Sequence, residues 1–479
     1  MDKKILHSNK TFNILEKQKF LNNLRHEIKK KRLLLDEGKE KFGLDEMSQL
    51  TKVKNTSQVK GYPFVITKKN YKDTNNLKIA LKIVPIENKY EKSEHPCNLE
   101  NLILKELTEN IVNKNISPHI THYLGTQKVS NKNKAIKHLN LKKLEVELKI
   151  RTHSNMLISE YVSGGSLDNW IFNTYENDEE ISDYQWKCIV YQLIYTIAIM
   201  QHYYKLVHND FHYGNILIDT SIKPEGYLVY EIYDKKYYLK NTGIMSKLWD
   251  FEFAMVYSDK IKGSYANKFI TGPYKYDYKL HETIVDDNTY SDVSEDDCNV
   301  PYKYNEYYDL HYFLTSLLDL YISQDLFDWI MKIYPDEVIP EEESSTSSDD
   351  SDDSNDSNYS NDSNDSNDSN DSNDSNDSND TNDSDTSSEI KESNSSIISS
   401  TLSNSLSSHT SSNSSSLSDL SSDDSSNKYV CEGRLINGVE EIFKLPTPKE
   451  LLLNDFFKDF MVKPDDFDEE KAIYFKSGF

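Results

Sequence analysis

The sequence predicts a two-lobed α+β fold: a small strand-rich lobe, a larger mainly helical lobe, and a long disordered acidic insertion within the second. Three observations carry that expectation. Short apolar runs, YPFVIT and LKIALKIVP, flank an Asn-rich turn in the first third of the 479-residue chain and give strand signal. From residue 163 onward, apolar side chains recur mostly at helical spacing, and the most apolar stretch spans 185–204. Residues 341–428 are a tandem Asn-Asp-Ser repeat with Ser-rich flanks and almost no large apolar side chains. Such a chain cannot bury enough surface to offset its ordering entropy, so it reads as disordered.

Each element follows from local pattern. Residues 1–50 are highly charged, with Phe12, Leu15, Phe20, Leu21 and Leu24 at helical spacing, and read as a helical leader, packed on the main domain or loosely attached. Residues 51–162 carry the strands. The two apolar runs around KKNYKDTNN predict a hairpin, a helix follows over 98–113 with Leu99, Ile103, Leu104, Leu107 and Ile111 on one face, and MLISEYV gives a further strand. Residues 163–340 read as the helical lobe. Apolar sequence resumes at Tyr429, so the repeat interrupts a domain, and residues 429–479 read as its helical completion. There, TPKELLLNDFFKDFM predicts an amphipathic helix capped by Thr447.

Composition narrows the class. Cys97, Cys188, Cys298 and Cys431 are scattered, with no CxxC pair, which argues against a disulfide scaffold or a zinc site. No stretch reaches the roughly 18 apolar residues of a membrane span, and Cys188 to Met200 reads as a buried helix. The opening MDKKILHSNK lacks the pattern of a secretory signal. A soluble, intracellular protein is expected. Of the net charge of −25, residues 341–428 carry most, with 22 acidic side chains against two lysines; the remaining −5 is ordinary and suggests no nucleic-acid surface. The usage of Asn, Lys, Ile and Tyr resembles that of AT-rich genomes, including large DNA viruses and some protists; a viral protein of this type would act in the host cell or virion.

The strongest chemical signal is LVHNDFHYGNILI, residues 206–218. An apolar helix leads in, an apolar strand leads out, and Asp210 and Asn215 lie between, five residues apart. Phosphoryl transfer needs a carboxylate to orient the acceptor hydroxyl and hard ligands to hold Mg²⁺ on the phosphates, and a tight loop ending in a strand can put both on one rim. A second signal, KLWDFEFAMV at 247–256, delivers Asp250 at the end of an apolar run, where it could complete a Mg²⁺ site with Asn215.

Both motifs resemble the catalytic and metal-binding loops of the protein-kinase superfamily, with His208-Asn209-Asp210 for the HRD pattern and Asp250-Phe251-Glu252 for DFG. Other landmarks similar to that family follow in its order. Ala80 to Lys82 resembles the third-strand motif whose Lys grips phosphates, and Glu100 in ENLILKEL stands where the Lys-pairing Glu belongs. SPHITHYLGT resembles the segment after that helix. LISEYVSGGSL resembles the hinge, with Ser159 as gatekeeper and Glu160 to Val162 offering backbone groups to adenine. EYYDLHYFLTSLL resembles the central helix, whose Asp309 would buttress the loop around His208. TPKELLLNDFF resembles the last helix motif. The resemblance covers roughly 55–340 and 429–460, and implies a kinase-like fold, ATP and Mg²⁺ as cofactors, and a protein substrate whose identity the sequence does not give.

Four features depart from the family. The glycine-rich loop is reduced to Gly61 with Pro63 nearby, so the backbone there lacks the freedom to wrap the phosphates closely. Asn209 replaces the Arg that reads a phosphorylated activation loop. Glu252 replaces the DFG glycine, and no APE motif follows. An insertion, GYLVYEIYDKKYYLKNTG, separates Asn215 from Asp250 and reads as an extra hairpin. The insertion and the Asp210-Phe211-His212 loop resemble haspin-type kinases, while the HND and DFE motifs also resemble choline and ethanolamine kinases. His212 stands where serine/threonine kinases commonly place a Lys on the γ-phosphate. The leading expectation is a divergent serine/threonine protein kinase. A pseudokinase scaffold and a small-molecule kinase of choline or aminoglycoside type are the alternatives.

Overall fold

Among the described residues of the charged leader lies a helix, α1 (Ile14–Lys31), whose buried Ile14, Leu21 and Ile28 recur every seven residues. The computed structural model describes residues 11–31, 47–52, 62–68, 77–86, 96–130, 153–261, 304–340, 429–431, 433–435 and 438–479. The chain splits into two units, Met1–Glu341 with Ser426–Phe479, and Glu342–Ser425; the second, the 69–76 turn and Gly61 lie outside the described residues. In α1 the buried face differs from the one expected. Leu15 is exposed, and Lys17 and Gln18 are buried in the stripe instead.

The reason is electrostatic. The Lys17 ammonium bonds Asp219 and lies 3.5 Å from Glu160, which in turn pairs with Lys247 at 2.9 Å. Burial pulls the Lys17 ammonium down, but the two carboxylates more than offset it and hold it above the usual lysine range. Deleting one partner of a buried ion cluster leaves charge uncompensated. Lys17→Met should therefore cost about 3–5 kcal/mol in urea unfolding at pH 7; a loss below about 1 kcal/mol would show that the cluster does not hold α1 in place.

Five strands form one antiparallel sheet: β1 (Met47–Lys52), β2 (Tyr62–Lys68), β3 (Leu77–Ile86), β4 (Tyr123–Ser130) and β5 (His153–Glu160), in the order β1-β2-β3-β5-β4. On β3 the alternation puts Ile79, Leu81 and Ile83 on one face, all buried, and Ala80 and Lys82 on the other. Between β3 and β4 runs α2 (Pro96–Leu107), which buries Leu99, Ile103, Leu104 and Leu107 as expected. Its last turn widens to a π turn over Thr108–Val112, where the Thr108 hydroxyl accepts the Tyr123 N–H at 2.9 Å.

The remainder is mainly helical with small sheets. α3 (Leu167–Glu176) precedes α4 (Asp183–Tyr204), which starts in a capping box between Ser182 and Gln185 and is buried on nearly every side. Short strands follow: β6 (Leu206–Val207), β7 (Ile216–Asp219), β8 (Tyr227–Ile232), β9 (Lys235–Lys240), β10 (Met245–Leu248) and β11 (Met255–Val256). The segment read as an extra hairpin forms β8 and β9. After them come α5 (Tyr308–Ser316) and α6 (Gln324–Ile333).

Residues 429–479 are less helical than expected. They form a hairpin, β12 (Val430–Cys431) with β13 (Arg434–Leu435), then α7 (Val439–Ile442), α8 (Pro448–Leu452) and β14 (Ile473–Lys476). The helix expected over TPKELLLNDFFKDFM has its Thr447 capping box with Glu450, but it stops after one turn and resumes as a 3₁₀ segment, Asp455–Met461. Asn454 causes the break: its side-chain oxygen caps the Phe456 N–H at 3.0 Å and also accepts from Trp329 Nε1 at 3.1 Å. β14 lies parallel to β8, with Ile473 and Phe475 buried. Its alternation is too brief to separate from helical spacing in sequence.

His119 ties these sheets together. Nδ1 lies 2.9 Å from the Ser246 carbonyl, which can only accept, so Nδ1 carries the proton and Nε2 accepts from Tyr230 Oη at 2.8 Å. Burial holds this imidazole down at about 3, so the folded protein keeps it neutral while the unfolded chain protonates near pH 6.5. Stability from this group is complete above about pH 6.5 and is lost as pH falls toward 3. Chemical unfolding between pH 6.5 and 4.5 should show a fall about 2–3 kcal/mol smaller in His119→Gln than in wild type. Equal slopes would refute the assignment.

Candidate active site

The loop between β6 and β7 is fixed from below by α5. Asp309 is fully buried, and its carboxylate accepts the backbone N–H groups of His208 at 2.7 Å and Asn209 at 2.9 Å. Burial pushes this carboxyl up to about 7 against the pull of those two donors. Asn209 takes a left-handed conformation, φ 64°, which Asn tolerates better than most residues. Its Nδ2 donates to the Phe253 carbonyl at 3.0 Å, and the His208 ring, through Nε2, donates to the Trp249 carbonyl at 2.9 Å. These two bonds join the 206–218 and 247–256 segments. Trp249 N–H closes the link on the Asn215 carbonyl at 3.3 Å.

Asp210, His212 and Asn215 are brought together. Asn215 Nδ2 donates to both the Asp210 carbonyl, at 2.8 Å, and Oδ2, at 2.7 Å. Both bonds engage Nδ2, the amide nitrogen, and not Oδ1. His212 Nε2 lies 3.7 Å from Asp210 Oδ2, and Nδ1 accepts the Gly214 N–H at 3.2 Å. Arg434, unforeseen in the sequence, donates to Asp210 Oδ1 at 2.7 Å. Burial pushes the Asp210 carboxyl up, but the His212 ring and the Arg434 guanidinium outweigh it and bring it down to about 2.

Lys82, Glu100 and Asp250 form a second group. Lys82 Nζ reaches Glu100 Oε2 at 3.0 Å and Asp250 Oδ1 at 2.8 Å, and also Glu252 Oε2 at 3.0 Å. The ammonium is 2% exposed and stands 5.7 Å from the Trp249 ring centre. Burial pulls Lys82 down, yet Asp250, Glu100 and Glu252 hold it well above the usual range. Three carboxylates share one ammonium, and burial together with the other two acids drives Glu100 upward. Among the described residues, Glu100, Asp250 and Glu252 bring oxygens within 4.8 Å of one another. Asp250 itself is left-handed, φ 61°. Glu252 was legible only as a missing glycine; its pairing with Lys82 required the fold.

The residues that resemble a kinase hinge lie at the end of β5 and just beyond it. Ala80 stands opposite Ser159 in the β3–β5 register, and Val162 is buried. Glu160 has a partner set not foreseen: besides Lys17 and Lys247, its Oε1 accepts the His122 N–H at 3.0 Å. Lys17 and Lys247 had no sequence signal, since a buried lysine cannot be told from a surface one by composition.

Comparisons with known proteins agree in kind. Over 273 residues the chain is 27% identical to a protein of Acanthamoeba polyphaga mimivirus that carries a provisional serine/threonine-protein kinase name; the match covers 51% of this chain and 52% of the relative. Over 75 residues it is 36% identical to a Dictyostelium discoideum protein also given a provisional serine/threonine-protein kinase name, covering 16% of this chain and 6% of that protein. The chain thus spans about half the length of the first relative and a small part of the second. No protein-family profile matches the chain. The likeness is to proteins named as protein kinases, on an α+β framework, and no helix among the described residues is long and apolar enough to cross a membrane.

Proposed function

We propose that this chain is an ATP- and Mg²⁺-dependent phosphotransferase of serine/threonine protein kinase type, acting on a hydroxyl of a protein substrate. The observation that carries the reading is Lys82, a buried ammonium held at 3.0 Å by Glu100 and at 2.8 Å by Asp250, so that one cation links strand, helix and metal loop. Lys82 holds the nucleotide phosphates and Glu100 orients it. Ala80 and the backbone of Glu160 and Val162 border the adenine. Asp250 and Asn215 Oδ1 offer hard oxygen donors that fit Mg²⁺, which bound there would offset phosphate charge. Asp210 accepts the hydrogen bond of the acceptor hydroxyl and aims its oxygen at the γ-phosphorus. The new P–O bond forms as the bond to the β–γ bridging oxygen breaks, ADP leaves, and the hydroxyl proton is lost on the Asp210 side. His212 Nε2 lies 3.7 Å from Asp210 Oδ2, and in this reading its ring serves the γ-phosphate. The protein-substrate assignment leans on the relatives' names and the GGSL-type hinge.

A scaffold reading is favoured by Glu252, which occupies Lys82 at 3.0 Å and must yield before phosphates take its place. A thermal-shift titration separates the two. Stabilisation by ATP that depends on Mg²⁺ supports the enzyme; none supports the scaffold. Labelled ATP offered with generic protein substrates or with choline-like alcohols then decides the acceptor class. Label in the alcohol alone would overturn the protein-kinase reading.

A further inference from the structure

Arg434 donates to Asp210 Oδ1 at 2.7 Å while Asn215 holds Oδ2 at 2.7 Å, so the carboxylate is gripped at both oxygens. Each oxygen can accept more than one hydrogen bond, so the grip orients the group and still leaves lone pairs for an acceptor hydroxyl. The guanidinium has its own support. Its carbon stands 4.8 Å over the Tyr312 ring, and Nη2 lies 3.5 Å from Tyr312 Oη.

The hairpin that carries it is seated on α5. The Gly433 carbonyl accepts from Thr315 Oγ1 at 3.3 Å, and Leu435 is buried. Gly433 is left-handed, φ 75°, a conformation that glycine adopts without strain, so the turn favours glycine there. α5 is also the helix whose Asp309 takes the His208 and Asn209 N–H groups. One helix therefore sets the loop backbone directly and the Asp210 carboxylate through Arg434. Composition adds weight: of 55 cationic side chains only Arg25, Arg32, Arg151 and Arg434 are arginines. A lysine could not lie flat on Tyr312 and donate sideways to a carboxylate.

We infer that Arg434 is a positioning residue of the acceptor site, holding the Asp210 carboxylate in its working orientation from the hairpin that follows the acidic repeat. The inference rests on the phosphotransferase reading of Asp210. A misplacement of about 1 Å can cost on the order of 10²-fold in rate. Arg434→Met should therefore lower kcat by about 10–100-fold with the KM for ATP within about twofold, and Arg434→Lys should recover part of the loss. Unchanged kcat overturns the inference. Raised kcat also overturns it, since Arg434 would then be blocking the acceptor's place.

A second measurement needs no turnover. In urea unfolding of the full chain, the midpoint shift caused by Arg434→Met should be at least halved when Asp210→Asn is already present. Equal shifts in both backgrounds overturn the inference. Should Arg434→Met fail to fold, Arg434→Gln is read the same way. If wild type transfers no phosphate to any acceptor, the phosphotransferase reading fails, and the unfolding cycle alone decides whether Arg434 holds Asp210.

Discussion

Asp210→Ala should all but abolish phosphate transfer, by about 10²–10⁴-fold, while leaving Mg²⁺-dependent stabilisation by ATP largely intact. The two effects separate because Asp210 touches Asn215 and Arg434, not Lys82 or Glu100. A general base works through the position of its oxygen as much as through its charge, so Asp210→Asn should lose nearly as much. That variant keeps the shape and lets one of the two present contacts survive. Unchanged turnover in either variant would remove Asp210 from the acceptor site. Loss of ATP binding along with turnover would show instead that the 206–218 loop collapses when its carboxylate is gone.

Lys82→Met is the second large effect expected. The substitution leaves Glu100, Asp250 and Glu252 facing one another, all within 4.8 Å, with no cation among them. Breaking a buried ion group from one side costs about 3–5 kcal/mol, because the orphaned charges remain. The variant should therefore unfold earlier in urea and show no stabilisation by ATP with Mg²⁺. The urea unfolding is run in EDTA and without nucleotide, so that no divalent ion replaces the ammonium; the ATP and Mg²⁺ titration is run separately without EDTA. Adding Glu252→Gln should return part of the lost stability, since one of three repelling charges disappears. A Lys82→Met protein as stable as wild type would mean that the acids protonate at little cost and that the cluster does not depend on its lysine.

The parts that were legible in sequence are those where chemistry and periodicity coincide. Asp210 and Asn215 sit between an apolar helix and an apolar strand, and local pattern alone placed them on one loop. Lys82 and Glu100 were legible through their strand and helix, because a β3–α2 connection brings residues 18 apart into reach. What the sequence hid depends on long-range pairing. Arg434 meets Asp210 across 224 residues, Glu252 meets Lys82 across 170, and Lys17 meets Asp219 across 202. A lone Arg beside a Gly, an acid after a Phe and a Lys in a charged helix carry no local signal of burial. The helix expected over residues 447–461 failed for a related reason: Asn454 caps locally while serving Trp329, and no helical period records that bond.

The parallel pairing of β14 with β8 has a consequence for how the chain is made. Ile473 sits beside Leu228, so one edge of the β8–β9 hairpin has no partner until nearly 250 further residues have been synthesised. At ribosomal speeds of about 5–20 residues per second, that wait lasts roughly 10–50 s. Through that interval the hairpin presents an open strand edge, a template for pairing with other chains.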